Sequence, residues 1–290
     1  MTGRTSEASR ASDSARGPHL DPIGESKDWL GNELSCADCL HAPLAATGGC
    51  QPRHACVQDR YARRIDRFFR WNPALASDYL GHPYFEVRAV AAKHADVFHL
   101  PALLADPDAT VRWCAVARLP RRFLLRLRED PDREVRIRVA VRLNGADLVL
   151  MLADSDYYVR QTVARRIPPS LLSLMMHDPD AEVRRVVAAR IGTEWLMPMV
   201  ADPDAGVRLV IAERMTPNQL AWLAADPDWR VRYEVAGRVD AVQLAALLDD
   251  PDPMVRERVQ ERFVVATTNA SAVPPGIPPL PAGDDSVRVV

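Results

Sequence analysis

One 24-residue unit recurs along this chain with no residue inserted or lost between copies, and that recurrence leaves few folds open. The cleanest copy reads Asp202-Pro203-Asp204, then Val207-Arg208, Ile211-Ala212, Arg214-Met215, and finally Leu220 and Leu223. The opening residue returns at Asp106, Asp130, Asp154, Asp178, Asp202, Asp226 and Asp250, and a weaker first copy opens at His82-Pro83. A fixed period of this length indicates a stacked array, because one such unit cannot bury its own apolar face and must be covered by its neighbours.

Each position of the unit has a physical reading. Counting the opening residue as position 1, its Asp can accept from free N–H groups at a helix start. Pro then suits the first helical position, and the second Asp adds negative charge at the positive end of the helix dipole. Apolar residues at positions 6, 10 and 14 (Val207, Ile211 and Met215) form one helical face. Position 11 is usually Ala, as in Ala92, Ala140, Ala164, Ala188, Ala212 and Ala236, and a small side chain there lets neighbouring helices approach closely. Turn formers follow, such as Pro120, Asn144-Gly145 and Pro168-Pro169. Leu at position 19 and Leu or Met at position 22 then fit a short second helix, of 3₁₀ type. No β-branched alternation suggests a strand.

These residues resemble the leucine-rich repeat variant family over residues 81–263. The resemblance implies an all-α, right-handed superhelical solenoid of 24-residue repeats, in which an α-helix alternates with a short 3₁₀ helix.

The chain has 290 residues, 48% apolar and 26% charged, which is ample for a core. A net charge of −2 argues against a general nucleic-acid or membrane-surface binder. No apolar run reaches the roughly 18 residues of a membrane span. Residues 1–27 lack the apolar core of a secretion signal, so a cytoplasmic location is expected. That arm, and a proline-rich tail over 266–290, read as disordered. The expected organisation is the arm (1–27), a cysteine-rich module with an Arg-rich helix (28–72), the repeats (73–265) and the tail.

Four of the five cysteines fall in the module as Cys36, Cys39, Cys50 and Cys56, spaced C-x2-C-x10-C-x5-C. Pro43, Gly48-Gly49 and Pro52 between them suit a tight irregular loop around an inorganic centre, whose binding would supply the loop's folding energy. Spacing alone leaves two centres open. Structural zinc prefers paired short hooks, and here only Cys36 and Cys39 form one; iron–sulfur clusters tolerate uneven spacing because their ligands bind different irons. A cysteine-rich segment directly before such repeats is similar to the iron–sulfur domain of leucine-rich repeat variant proteins. That similarity implies a [4Fe-4S] cluster with Cys36, Cys39, Cys50 and Cys56 as ligands. His41 and His54, inside the loop, read as surface residues or neighbours of the ligands, and Cys114 as a packing or surface residue.

A helix is expected over 57–71, with Tyr61, Ile65, Phe68 and Phe69 docking on the first repeat. Its arginines (Arg60, Arg63, Arg64, Arg67 and Arg70) allow three readings: charge balance for a negative cluster, a solvated face, or a dock for an acidic partner. Two further arginine rows run along the repeats. Position 7 is Arg in all eight copies, from Arg88 to Arg256, and position 13 is Arg from Arg118 to Arg262, with His94 in the first copy. The rows read as structural: Asp108 and Arg112 have ion-pair spacing within one helix, and Arg118 can serve its own helix end or an Asp of an adjacent unit.

No phosphate loop, dinucleotide fingerprint, H-E-x-x-H or G-x-S-x-G motif is present, so no catalytic residue is assigned and no enzyme is expected. The expected function is electron transfer or redox sensing by an iron–sulfur module, coupled to a protein partner on the solenoid surface. The alternatives are an interaction scaffold whose metal centre is only structural, and nucleic-acid binding through the Arg helix or the concave surface. The family resemblance also implies an association with nitrogen-fixing bacteria.

Overall fold

The computed structural model describes residues 26–37 and 39–271, with side chains as far as residue 264. The expectations of disorder for the arm and the tail fall mostly outside the described residues. Two compact units divide the chain, residues 1–186 and 187–290. Among the described residues the structure is helical, and its only extended pairings are two isolated bridges, Lys27 with Glu33 and Gln51 with Ala55.

The first unit opens with the cysteine loop and its short helix α1 (Ala42–Ala46), followed by α2 (Ala62–Trp71). A 3₁₀ segment, Pro73–Tyr79, leads to the repeat helices Phe85–His94, Ala109–Val116, Arg133–Arg142 and Tyr157–Arg166. Each of these helices packs on the next. Within the second unit, Ala205–Arg214, Trp229–Arg238 and Pro253–Ser271 stack in the same way. Between the helices lie short 3₁₀ or single-turn helical segments, such as Val97–Ala105 and Pro169–Met175. The alternation of a helix with a short 3₁₀ element is therefore as expected.

The spine of each unit is the set of positions read from the sequence. Val111, Val135 and Val159 at position 6, Ala140 and Ala164 at position 11, and Leu124, Leu148 and Leu172 at position 19 are all fully buried. Val207, Val231, Ala212, Ala236 and Leu220 repeat the pattern in the second unit. Burying a Val or Leu side chain contributes about 1.5–3 kcal/mol, so this spine dominates the array's stability.

The polar ladder is wired differently from the sequence-based expectation. The helix starts two residues later than the opening Asp, so the cap is the position-3 residue: Asp108, Asp132, Asp156, Asp204 and Asp228 accept backbone N–H bonds at the first turn. The position-1 Asp instead receives the arginine of the repeat before it. Arg112 Nε and Nη2 donate to Asp130 at 2.8 and 2.7 Å, and its Nη1 donates to the Asp106 carbonyl at 2.9 Å. Arg88–Asp106, Arg136–Asp154, Arg160–Asp178, Arg208–Asp226 and Arg232–Asp250 repeat this bidentate pairing. The expected Asp108–Arg112 pair does not form, because the Arg112 side chain leans back toward its helix N-terminus and reaches past the cap.

Position 13 also differs. Arg118 Nη1 donates to the Ala92 and Ala95 carbonyls at 2.9 and 2.6 Å, so it closes the C-terminus of the preceding repeat's helix rather than meeting an Asp. Arg142, Arg214, Arg238 and Arg262 do the same. Those carbonyls have no partner within their own helix and carry the negative end of its dipole.

Candidate metal centre

The cysteine loop is built from two turns joined by α1. A bond from Cys39 N–H to the Cys36 carbonyl (3.4 Å) bends the first turn, and Ala42 N–H bonds to the Cys39 carbonyl (2.9 Å) as α1 begins. Gly48 takes φ +73°, a left-handed conformation that a side chain disfavours, and lets Gly49 N–H return to the Leu44 carbonyl at 2.7 Å. Asn72, at the end of α2, donates to the Gly49 carbonyl at 2.7 Å and to Phe68 at 2.9 Å, tying the loop to the helix.

In the second turn, Gln51 and Ala55 exchange both backbone bonds (2.8 and 2.7 Å), with Arg53 left-handed between them. Cys50 and Cys56 are the next residues outward on each arm, so the pairing sets them opposite one another on one face. Cys56 N–H bonds to the Arg64 carbonyl of α2 at 3.3 Å.

All four cysteines line one small, largely enclosed cavity, together with Leu34, His41 and Pro52 among others. Cys36 is exposed, Cys39 partly covered, and Cys50 and Cys56 buried. Without metal, the thiols influence one another. The Cys56 thiol donates a hydrogen bond to Cys50 and is buried, and both effects push it up. The same bond holds Cys50 below the ordinary thiol range, against burial and the neighbouring charges of Cys39 and Cys36.

Among the described residues, no group of three His, Cys, Asp or Glu side chains is placed to hold a metal ion as it stands. Four cysteines around one cavity nevertheless supply the all-thiolate donor set that an iron–sulfur cluster uses. The residue types present fit such a centre.

The surroundings revise or narrow the sequence-based expectations in three ways. First, the helix spans Ala62–Trp71 rather than 57–71, because the Asp59 carboxylate captures Tyr61 N–H (3.0 Å) and Arg64 Nη1 (2.8 Å) and holds the preceding residues in a turn. Ile65, Phe68 and Phe69 are fully buried, as expected. Second, its arginines do not form a uniform solvated face. Arg64 and Asp59 are 1% and 0% exposed, and Arg67 is buried while donating to His54 Nδ1 (2.9 Å) and its carbonyl (2.8 Å). Third, of the two places expected for His41, the surface and the neighbourhood of the ligands, it takes the second. It is 8% exposed, packs on Phe68, bonds through Nε2 to the Tyr79 hydroxyl, and burial lowers its pKa. Burial, with the negative charge of Cys39 behind it, pushes the Tyr79 phenol up to about 12. Cys114 lies away from this cavity, inside the repeats and 2% exposed.

Tyr79, Asn72 and Asp59 did not stand out in the sequence. A signal for Tyr79 existed: Arg64, Ala76 and Tyr79 fall 24 residues before Arg88, Leu100 and Leu103. The module's second half thus keeps the repeat register, with Ala76 at position 19 and Tyr79 at position 22. In the later copies Leu or Met holds position 22, and the hydroxyl is the novelty.

Residues 26–78 match a family model described as the leucine-rich repeat variant protein FeS4 cluster, and residues 157–180 match that of the leucine rich repeat variant. A solved structure described as a leucine-rich repeat variant with a novel repetitive protein structural motif is 43% identical to this chain. The match has a TM-score of 0.77 and covers 79% of this chain and 98% of that one. The chain belongs to the leucine-rich repeat variant family. A curated relative from Rhodobacter capsulatus, an uncharacterized 27.7 kDa protein in the nifB 3′ region, is 53% identical over 96 residues. That match covers 33% of this chain and 39% of the relative's length. As a leucine-rich repeat variant protein, the chain joins a module of iron–sulfur type to a helical repeat array. No helix among its described residues is long and apolar enough to cross a membrane.

Proposed function

We propose that Cys36, Cys39, Cys50 and Cys56 hold one [4Fe-4S] cluster, and that the protein is a cytoplasmic, non-enzymatic electron-transfer or redox-sensing component. In this reading its repeat surface binds a protein partner. The observation that carries it is that these four thiols, and not Cys114, surround one cavity within the segment matched by the iron–sulfur family model. A bound cluster would supply one-electron chemistry. The protein's own part is to hold the thiolates, keep water from Cys50 and Cys56, and leave Cys36 as the exposed approach. The relative encoded beside nifB supports a setting in nitrogen fixation. The position-7 and position-13 arginines whose contacts are described above are spent on carboxylates and carbonyls inside the array, which weakens the nucleic-acid reading.

A second reading keeps the cluster as a structural cap, supported by α2 packing on the first repeat helix. One experiment separates the cases. Protein purified without oxygen is analysed for iron, sulfide and zinc, and its visible absorbance is followed through reduction and reoxidation. About four irons and four sulfides per chain, lost on Cys→Ser changes at the four positions, and a reversible reduction are expected. Iron-free protein, or about one zinc per chain, overturns the proposal. A cluster that does not reduce before it decomposes leaves the cap reading.

A further inference from the structure

We infer that His41 is a positioning donor of the iron–sulfur site, giving an Nδ1–H hydrogen bond to a cluster or thiolate sulfur while Tyr79 fixes the orientation of its ring. The inference rests on the cluster assignment above and extends it to a residue outside the ligand set.

Three observations carry it. His41 is nine-tenths buried and lines the cysteine cavity, whereas Tyr79 does not, so the imidazole stands between the thiols and the phenol. The Tyr79 hydroxyl meets His41 Nε2 and has no other hydrogen-bond partner among the described residues. Tyr79 is half-buried, and Nε2 is the one acceptor the described residues offer its hydroxyl proton. The acceptor is Nε2, so that nitrogen carries no proton and the proton of the neutral ring sits on Nδ1. Finally, Nδ1 makes no hydrogen bond within the protein among the described residues. It is a donor left over on a residue that forms the cavity wall, beside thiolates that can only accept.

The repeat register explains why the arrangement is held firmly. Tyr79 occupies the spine position filled by Leu103 in the next copy, with its ring against Phe69 at 5.5 Å, so its hydroxyl cannot swing freely. The His41 ring is held from the other side by Phe68 at 5.1 Å. An N–H aimed at sulfur stabilises the more negative, reduced form of a cluster, and so raises its reduction potential.

The test uses full-length protein reconstituted without oxygen: wild type, His41→Leu, His41→Asn and Tyr79→Phe. Asn places an amide N–H close to where Nδ1–H lies; Leu does not. Iron and sulfide content is measured first, then the reduction potential, then the sensitivity of the Fe–S stretching bands in resonance Raman spectra to transfer into D2O. The expected result is equal iron content with a lowered potential and loss of the D2O shift in His41→Leu. His41→Asn restores both, and Tyr79→Phe falls between. Equal potentials and equal D2O shifts in all four overturn the role of His41 and leave the cluster assignment standing. Iron-free wild-type protein overturns both. Should His41→Leu fail to retain iron, Asn and Phe decide: a Tyr79→Phe protein unchanged in potential and D2O shift counts against the inference. Where the cluster resists reduction, the D2O shift alone decides on the same terms.

Discussion

His94 Nε2 lies 2.9 Å from Asp66 Oδ1, joining the first repeat to α2 of the cysteine module. The later residue at this position is arginine, which closes the helix before it through backbone carbonyls, as Arg118 and Arg142 do. At the module's edge the same position uses a side-chain carboxylate. The His94 bond, aided by Arg70, holds the Asp66 carboxyl at about 2 despite partial burial. A carboxylate depressed in the folded state stabilises above its unfolded value of about 3.9 and loses that contribution as pH falls through the folded value. Asp66→Asn is therefore expected to cost about 1–2 kcal/mol at pH 6, allowing for solvent screening at a partly exposed site. The difference from wild type should shrink between about pH 4 and pH 2. Carboxyl carbon NMR of Asp66, with melting curves of both proteins across that range, checks it; a gap unchanged at pH 2 would contradict the assignment.

The buried ladder predicts an unequal response to similar charge removals. Arg112 and Asp130 are 11% and 2% exposed, whereas Arg230 and Asp228 are 54% and 20% exposed. Removing one partner of a buried pair leaves the other uncompensated, at about 3 kcal/mol; an exposed pair contributes below about 1 kcal/mol. Asn can still cap a helix, so Asp228→Asn isolates the surface pair. Urea unfolding should show Asp130→Asn destabilised by about 3 kcal/mol and Asp228→Asn by less than about 1 kcal/mol.

Arg142 should act on the helix before its own. Its Nη1 and Nη2 donate to the carbonyls of Val116 at 2.8 Å and Leu119 at 3.0 Å, at the end of Ala109–Val116. Arg142→Leu removes these charged bonds, at about 1.5–3 kcal/mol. Amide exchange should rise mainly at the end of Ala109–Val116 rather than within Arg133–Arg142. An increase confined to Arg133–Arg142 would mean that the arginine serves its own helix.

The repeat spine was legible because Val111, Leu124 and their counterparts recur at one spacing and meet one environment. The ladder's residue types were legible too, but their partners were not. Ion-pair rules for an isolated helix joined Asp108 to Arg112, while the stack offers Arg112 a carboxylate 18 residues on, which only the neighbouring repeat brings within reach. In the module, the four cysteines were visible by type and spacing. Asn72, Asp59 and Tyr79 were not, since each acts through a contact (Gly49, Arg64 and His41) set by how the loop folds back on α2. The cap moved from position 1 to position 3 for a related reason. The Asp130 carboxylate accepts both Arg112 and its own Asp132 N–H, at 2.9 Å, and that turn starts the helix two residues later.

Removing the metal should unmake the loop and spare the repeats. The loop is fastened by polar contacts rather than by an apolar core, among them the Gln51–Ala55 pair, the two Asn72 bonds, the Arg67–His54 bonds and the Arg64–Asp59 pair. α2, by contrast, buries Ile65, Phe68 and Phe69 and packs on the first repeat helix, which needs no metal. A metal-clasped loop draws its ordering energy from the bound centre, whereas each repeat draws its stability from its neighbours. Oxidative loss of the cluster is therefore expected to leave the far-ultraviolet helical signal nearly unchanged, while amide exchange accelerates between Leu34 and Asp59. In that state the exposed Cys36 should be alkylated first. Cys114, buried and with burial pushing its thiol up to about 11, should stay unreactive until the repeats unfold. Loss of helical signal in step with iron loss would show instead that the centre holds the array itself together.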